Sequence, residues 1–117
     1  MKKLCYTLIG DIMIKYIDET ILKTVLDSND KLILVFAKGI NCGVCHAVEA
    51  RINQTYPSKH NKLDIYYLTV EENPKFRGEH LIFTFPTILL FDGKKEIHRE
   101  SRIIDFNKLD RIISNYY

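Results

Sequence analysis

The sequence contains no tryptophan, only three prolines and five glycines, and three cysteines in 117 residues. No stretch approaches the roughly twenty consecutive apolar residues of a membrane-spanning helix, so no membrane association is expected. No excess of one charge is present either: 17 Lys and Arg against 15 Asp and Glu leave a formal charge of +2, interleaved along the chain, which argues against a nucleic-acid footprint. The local group Lys94, Lys95, His98, Arg99 and Arg102 reads as a solvated hairpin rim. Internal repeats and low-complexity tracts are absent. A second C-x-x-C or an H-x3-5-H is also missing, which argues against a tetrahedral zinc site.

The start, Met1 to Ile9, imitates a signal peptide until Asp11 interrupts the apolar stretch, and no small-residue cleavage site follows. A cytoplasmic location is therefore expected. In that compartment thiols are kept reduced, and a C-x-x-C pair is more often catalytic or metal-binding than structural. The length fits one domain, 1–117, with residues 1–11 as an N-terminal extension ending at a Gly10-Asp11 break. Such a domain buries a core without metals or multiple disulfides. Cys5 is left over as a small buried or idle residue.

What is present is organised around Cys42-Gly43-Val44-Cys45, followed by His46. Lys31 to Ala37 is a continuous apolar run of buried-strand length, and Lys38 to Asn41 makes a short turn. Cys45, Val48, Ile52 and Tyr56 then recur at helical spacing, with Asn41 as N-cap and Pro57 as stop. The cysteines thus stand at a strand-to-helix junction. There, unpaired backbone N–H groups and the helix dipole favour the thiolate of Cys42.

Elsewhere, Ile12 to Ile17 is a short strand, and Asp18 caps a helix with Ile21, Leu22, Val25 and Leu26 on one face, stopping near Ser28-Asn29-Asp30. Lys62 to Val70 is a second apolar strand, and Pro74 opens a short helix through about Gly78. Pro86 precedes a strand from Thr87 to Phe91, Asp92-Gly93 signals a hairpin into Lys95 to Glu100, and Asp105 caps a last helix bearing Phe106, Leu109, Ile112, Ile113 and Tyr116. The order is β-α-β-α-β-α-β-β-α. The expected fold is α/β, a mixed central sheet with helices on both faces.

This order, with Cys42-Gly43-Val44-Cys45, Asn73-Pro74 and Phe85-Pro86-Thr87 running into Leu89 to Gly93, resembles the thioredoxin superfamily from Ile12 to Tyr117. The resemblance implies a thioredoxin-like fold, a cis bond before Pro86, and a Cys42–Cys45 redox-active disulfide needing no other cofactor. It also implies catalytic roles for Cys42 and Cys45 and a docking surface of Asn41, Phe85 and Pro86. Partners would be a disulfide-containing protein or small thiol substrate and a thiol or flavin reductase that recharges the pair. Cys42 would attack the substrate disulfide and Cys45 would resolve the mixed disulfide. Lys38 and His46 are further candidates for tuning Cys42, His46 also reading as a solvated helix residue.

The sequence departs from the family pattern at named positions. Asn41 stands where members commonly have Trp, Val44 where Pro is frequent, and His46 where Lys follows. Phe36 and Tyr67 replace the buried Asp six residues before the first cysteine and the Lys on the neighbouring strand. A redox-inactive or redox-sensing interaction module on the same fold is therefore the alternative reading. The literal C-x-x-C-H of c-type haem attachment is a third, with His46 as axial ligand and no motif placing a second one.

Overall fold

The computed structural model describes the backbone of residues 5–9, 12–28 and 31–117, and the side chains of 15–28 and 31–117. Cys5 to Ile9 (β1) pairs antiparallel with Ile12 to Tyr16 (β2), Cys5 opposite Tyr16 and Ile9 opposite Ile12. Residues 5–9, expected ahead of the domain proper, are thus the edge strand of its sheet. The Gly10-Asp11 break, the Asn29-Asp30 helix stop and the side chain of Cys5 lie outside the described residues.

Helix α1 spans Glu19–Ser28, and the Asp18 carboxylate accepts from the backbone N–H of Ile21 at 2.9 Å, as the capping residue should. Strand β3 is Leu32–Lys38, helix α2 Gly43–Lys59 and strand β4 Asp64–Thr69. A single 3-10 turn, Val70–Glu72, leads into helix α3, Pro74–Glu79, where Pro74 takes the first helical position. Strand β5 is Thr87–Asp92, β6 Lys95–Ser101, and helix α4 Phe106–Tyr116. Asp105 caps α4 by accepting from Lys108 N–H at 3.1 Å. The hairpin turn falls one residue later than Asp92-Gly93: Asp92 pairs with Lys95, and Gly93, at φ 61°, takes the first central position.

The sheet runs β1-β2-β4-β3-β5-β6. β4 is parallel to β2 and β3, whereas β5 is antiparallel to β3 and β6. Every residue from Leu32 to Ala37 is buried, as an apolar run without alternation requires when both faces are covered. Alternate side chains go to opposite faces. Leu32, Leu34 and Phe36 meet Cys45, Val48, Ile52 and Tyr56 of α2 and Phe106, Leu109 and Ile113 of α4. Ile33, Val35 and Ala37 meet Leu22 and Leu26 of α1 and Phe76 of α3.

Pro57 does not end α2. A proline ring removes one hydrogen bond and crowds the preceding turn, but neighbouring contacts can offset that. Here Tyr56, Lys59 and His60 all reach the carboxylate of Asp110 on α4, at 2.7, 2.8 and 3.2 Å, which holds the last turn of α2 in place. The basic rim of the β5–β6 hairpin is largely tied into the fold. Arg99 grips Glu96 and the carbonyls of His80 and Leu81, His98 meets Glu100, and Lys94 lies 3.9 Å from Asp27.

Candidate active site

β3 delivers the chain to the end of the sheet at Lys38, and a turn brings it back into α2. Asn41 sits in that turn at φ 58°, the left-handed region that Asn tolerates better than most residues, and so is not the N-cap. The cap is Cys42, extended at φ −108° and ψ 98°, and its Sγ accepts from the N–H of Cys45 at 3.2 Å. The helix-start effect expected for Cys42 has a concrete donor here, because an N–H aimed at sulfur favours its thiolate over its thiol.

Cys42 is half-buried, Cys45 is 2% exposed, and the two form a disulfide with Cα atoms 5.2 Å apart. Cys42 is thus the more exposed of the two. His46 is solvent-exposed. Among the described residues no group of three or more His, Cys, Asp or Glu could hold a metal ion.

Three loops meet at the corner that leads into Cys42. The ring of Phe85 packs on Gly39 so closely that a Cβ at position 39 would lie 2.7 Å from Phe85 Cδ2. The Phe85–Pro86 peptide is cis, and the Pro86 carbonyl accepts from the N–H of Arg102 at 2.8 Å, tying the segment after β6 to the same corner. Pro86 is buried and Phe85 half-buried, while Ile40, Phe83 and Ile103 on these loops and Val44 in the first turn of α2 are exposed. Glu71, beyond the end of β4, accepts from the N–H of Ile40 at 3.0 Å and steadies the loop before the cysteines.

The floor of the site is aromatic. Tyr67 stands edge-on to both Phe36 and Tyr16, with ring centroids 5.2 and 4.8 Å apart, and donates its hydroxyl to Asn53 Oδ1 at 2.6 Å. Tyr16 donates to one carboxylate oxygen of Glu49, and Lys38 Nζ binds the other at 2.8 Å while lying over the Tyr16 ring. Burial first, then the nearby Glu49 carboxylate, pushes the pKa of both phenols well above the usual tyrosine range, so they stay protonated donors. Lys38 was a candidate from sequence; Tyr16, Glu49 and Glu71 were not. Glu49 alone left a trace there, four residues after Cys45 and so on its helix face. Tyr16 and Glu71 come from distant segments that only the sheet brings together.

Comparisons with known proteins agree on this architecture. The Thioredoxin family model matches residues 13–115. Thioredoxin from Chlorobaculum thiosulfatiphilum is 29% identical over 99 residues, 85% of this chain and 91% of that protein. The thioredoxin-like protein YdfQ of Bacillus subtilis is 25% identical over 74% of this chain and 77% of its own. The bifunctional thioredoxin reductase/thioredoxin of Mycobacterium leprae is 30% identical over 88 residues, but this chain spans only 19% of its length. A solved thioredoxin from Halobacterium salinarum superposes with TM-score 0.76 at 22% identity, covering 94% of this chain and 95% of that one. At that identity the superposition shows the thioredoxin fold.

Proposed function

Given that this chain belongs to the thioredoxin family, we propose that it is a thiol–disulfide oxidoreductase acting on protein or small thiol substrates. The observation that carries this reading is the asymmetry of the pair: a half-buried Cys42 at the helix start, bonded to a buried Cys45.

In the reducing direction, the Cys42 thiolate attacks one sulfur of a substrate disulfide and the other substrate sulfur leaves as thiolate. Cys45 then attacks Cys42 Sγ, closing the internal disulfide and releasing the second substrate thiolate. The substrate gains two electrons and the protein dithiol loses two. A thiol or flavin reductase restores the dithiol, and one domain carries out the reaction in the cytoplasm. Asn41, Phe85 and Pro86, with exposed Ile40, Val44 and Phe83 beside them, form the surface on which an extended substrate docks.

The test is insulin disulfide reduction with a dithiol donor. Wild-type protein is expected to be active and Cys42→Ser inactive, and unchanged activity in that variant overturns the mechanism. Direction follows from the potential of the couple: a value near about −270 mV belongs with reductases and one near about −120 mV with oxidants. The replacement of ionisable groups by Phe36 and Tyr67 favours a second reading, a redox-inactive or redox-sensing interaction module. It requires a Cys42 thiol titrating like a free one, near about 8.5.

A further inference from the structure

Resolution of a mixed disulfide requires Cys45 to lose a proton, and Cys45 is 2% exposed among apolar neighbours, where burial favours the neutral thiol. The side chains beneath it offer no base: Phe36 has no ionisable group, and Tyr67 is held protonated. The proton must therefore leave along the helix rather than into the sheet.

Glu49 lies one turn beyond Cys45 on the same face of α2. Helical side chains lean toward the N-terminus, so Glu49 covers the turn that contains Cys45. Its carboxylate is pinned at that end, because Lys38, the last residue of β3, binds one oxygen and Tyr16 of β2 donates to the other. The ion pair is neither sealed nor free, with side-chain exposures of 22% for Lys38 and 16% for Glu49. The groups facing this carboxylate are Lys38 from β3, Tyr16 from β2 and Tyr67 from β4, Tyr67 itself donating to Asn53 of α2, and Cys45 is one helical turn back.

We propose that Glu49 is the proton acceptor for Cys45, resting on the oxidoreductase reading above. The Cys45 thiol gives its proton to the Glu49 carboxylate, directly or across one water. Its thiolate then attacks Cys42 Sγ, forming the internal S–S bond and breaking the bond to the substrate sulfur, which leaves with the electron pair. Protonating Glu49 removes the negative charge next to the new thiolate, which favours the ionised sulfur. Solvent then takes the proton from Glu49.

The experiment mixes reduced protein, with Cys5→Ser in every variant and in the reference called wild type, with excess dithiobis-nitrobenzoate and follows release of the coloured thiolate over a pH series. Cys42 attack releases the first equivalent and Cys45 closure the second. In Glu49→Gln the first phase is expected to match wild type. The second is expected to slow by about 10²-fold at neutral pH, the gap closing at high pH where hydroxide serves as base. Lys38→Gln, which breaks the same ion pair but keeps the carboxylate, is expected to retain most of the second-phase rate. A Glu49→Gln second phase superimposable on wild type, a slowing constant across pH, or an equal loss in Lys38→Gln overturns the assignment. If Glu49→Gln loses both phases through misfolding, Glu49→Asp decides: a second phase retained relative to the first supports the acceptor role, and its loss refutes it. A wild-type protein that gives no second phase removes the oxidoreductase reading itself, whereas two wild-type phases unaffected by Glu49→Gln remove only the role of Glu49.

Discussion

Asp110 is the sharpest structural test of the fold, because one carboxylate on α4 takes three donors from the last turn of α2. Asp110→Ala would leave the Tyr56 hydroxyl and His60 without this partner, in residues that are 0% and 5% exposed. Each buried group so orphaned costs about 1–3 kcal/mol. Lys59, with 52% of its side chain exposed, adds about 0–1 kcal/mol. The carboxylate itself is 16% exposed, so water enters part of the gap and the lower half of the range applies, about 3 kcal/mol. Against a total stability of about 5–15 kcal/mol this is a large fraction, equivalent to a drop of about 10 °C in Tm.

Urea denaturation at neutral pH measures the loss. Tyr56→Phe should cost about 1 kcal/mol and Lys59→Met less, in that order below Asp110→Ala. The acid limb gives an independent reading. Burial pushes the Asp110 carboxyl up, but the bonds donated by Lys59, Tyr56 and His60 outweigh it and hold its pKa below the ordinary carboxylate range. Its stabilisation is therefore fully present above the unfolded pKa of about 3.9 and is lost as pH falls through the lower folded value. Wild type and Asp110→Ala should converge in stability over that acidic interval. A loss below about 1 kcal/mol at neutral pH, or curves that stay parallel into acid, would refute the three-donor account.

Two further substitutions probe the site corner and the far face. Gly39→Ala places a Cβ 2.7 Å from Phe85 Cδ2 and should displace that half-exposed ring. It is expected to cost about 1–3 kcal/mol and to raise KM for insulin more than it lowers kcat; unchanged kinetics would show that Phe85 takes no part in docking. Asn73, 3% exposed, accepts from Glu19 N–H at 2.8 Å and donates to the Thr69 carbonyl at 2.6 Å. Asn73→Ala should lower stability by about 1–3 kcal/mol in thermal unfolding, with Asn73→Asp recovering only the part owed to the Glu19 bond; equal losses would contradict that division.

Much of this was legible in one dimension because it is local. The unbroken apolar run before the cysteines marks a strand covered on both faces, Asp18 and Asp105 mark helix starts, Pro74 opens a helix, and Asp92-Gly93 marks the hairpin to within one residue. Local signals failed where a distant segment decided the outcome. Pro57 looked like a terminator until α4 supplied Asp110. Asn41 looked like a cap, but the turn leaving β3 needed a left-handed residue and the cap passed to Cys42. Residues 5–9 lack a strong pattern of their own and become a strand by pairing with β2.

The sequence alone determined the alternation of strands and helices and placed two cysteines at a helix start, since periodicity, capping and dipole effects act within a few residues. Only the tertiary structure decided which cysteine is exposed, that Phe36 and Tyr67 share a cluster with the other, and that Lys38 and Tyr16 converge on Glu49. Burial and electrostatics depend on distance through space, and Tyr16 and Glu49, 33 positions apart in the chain, become neighbours only once the strands have paired.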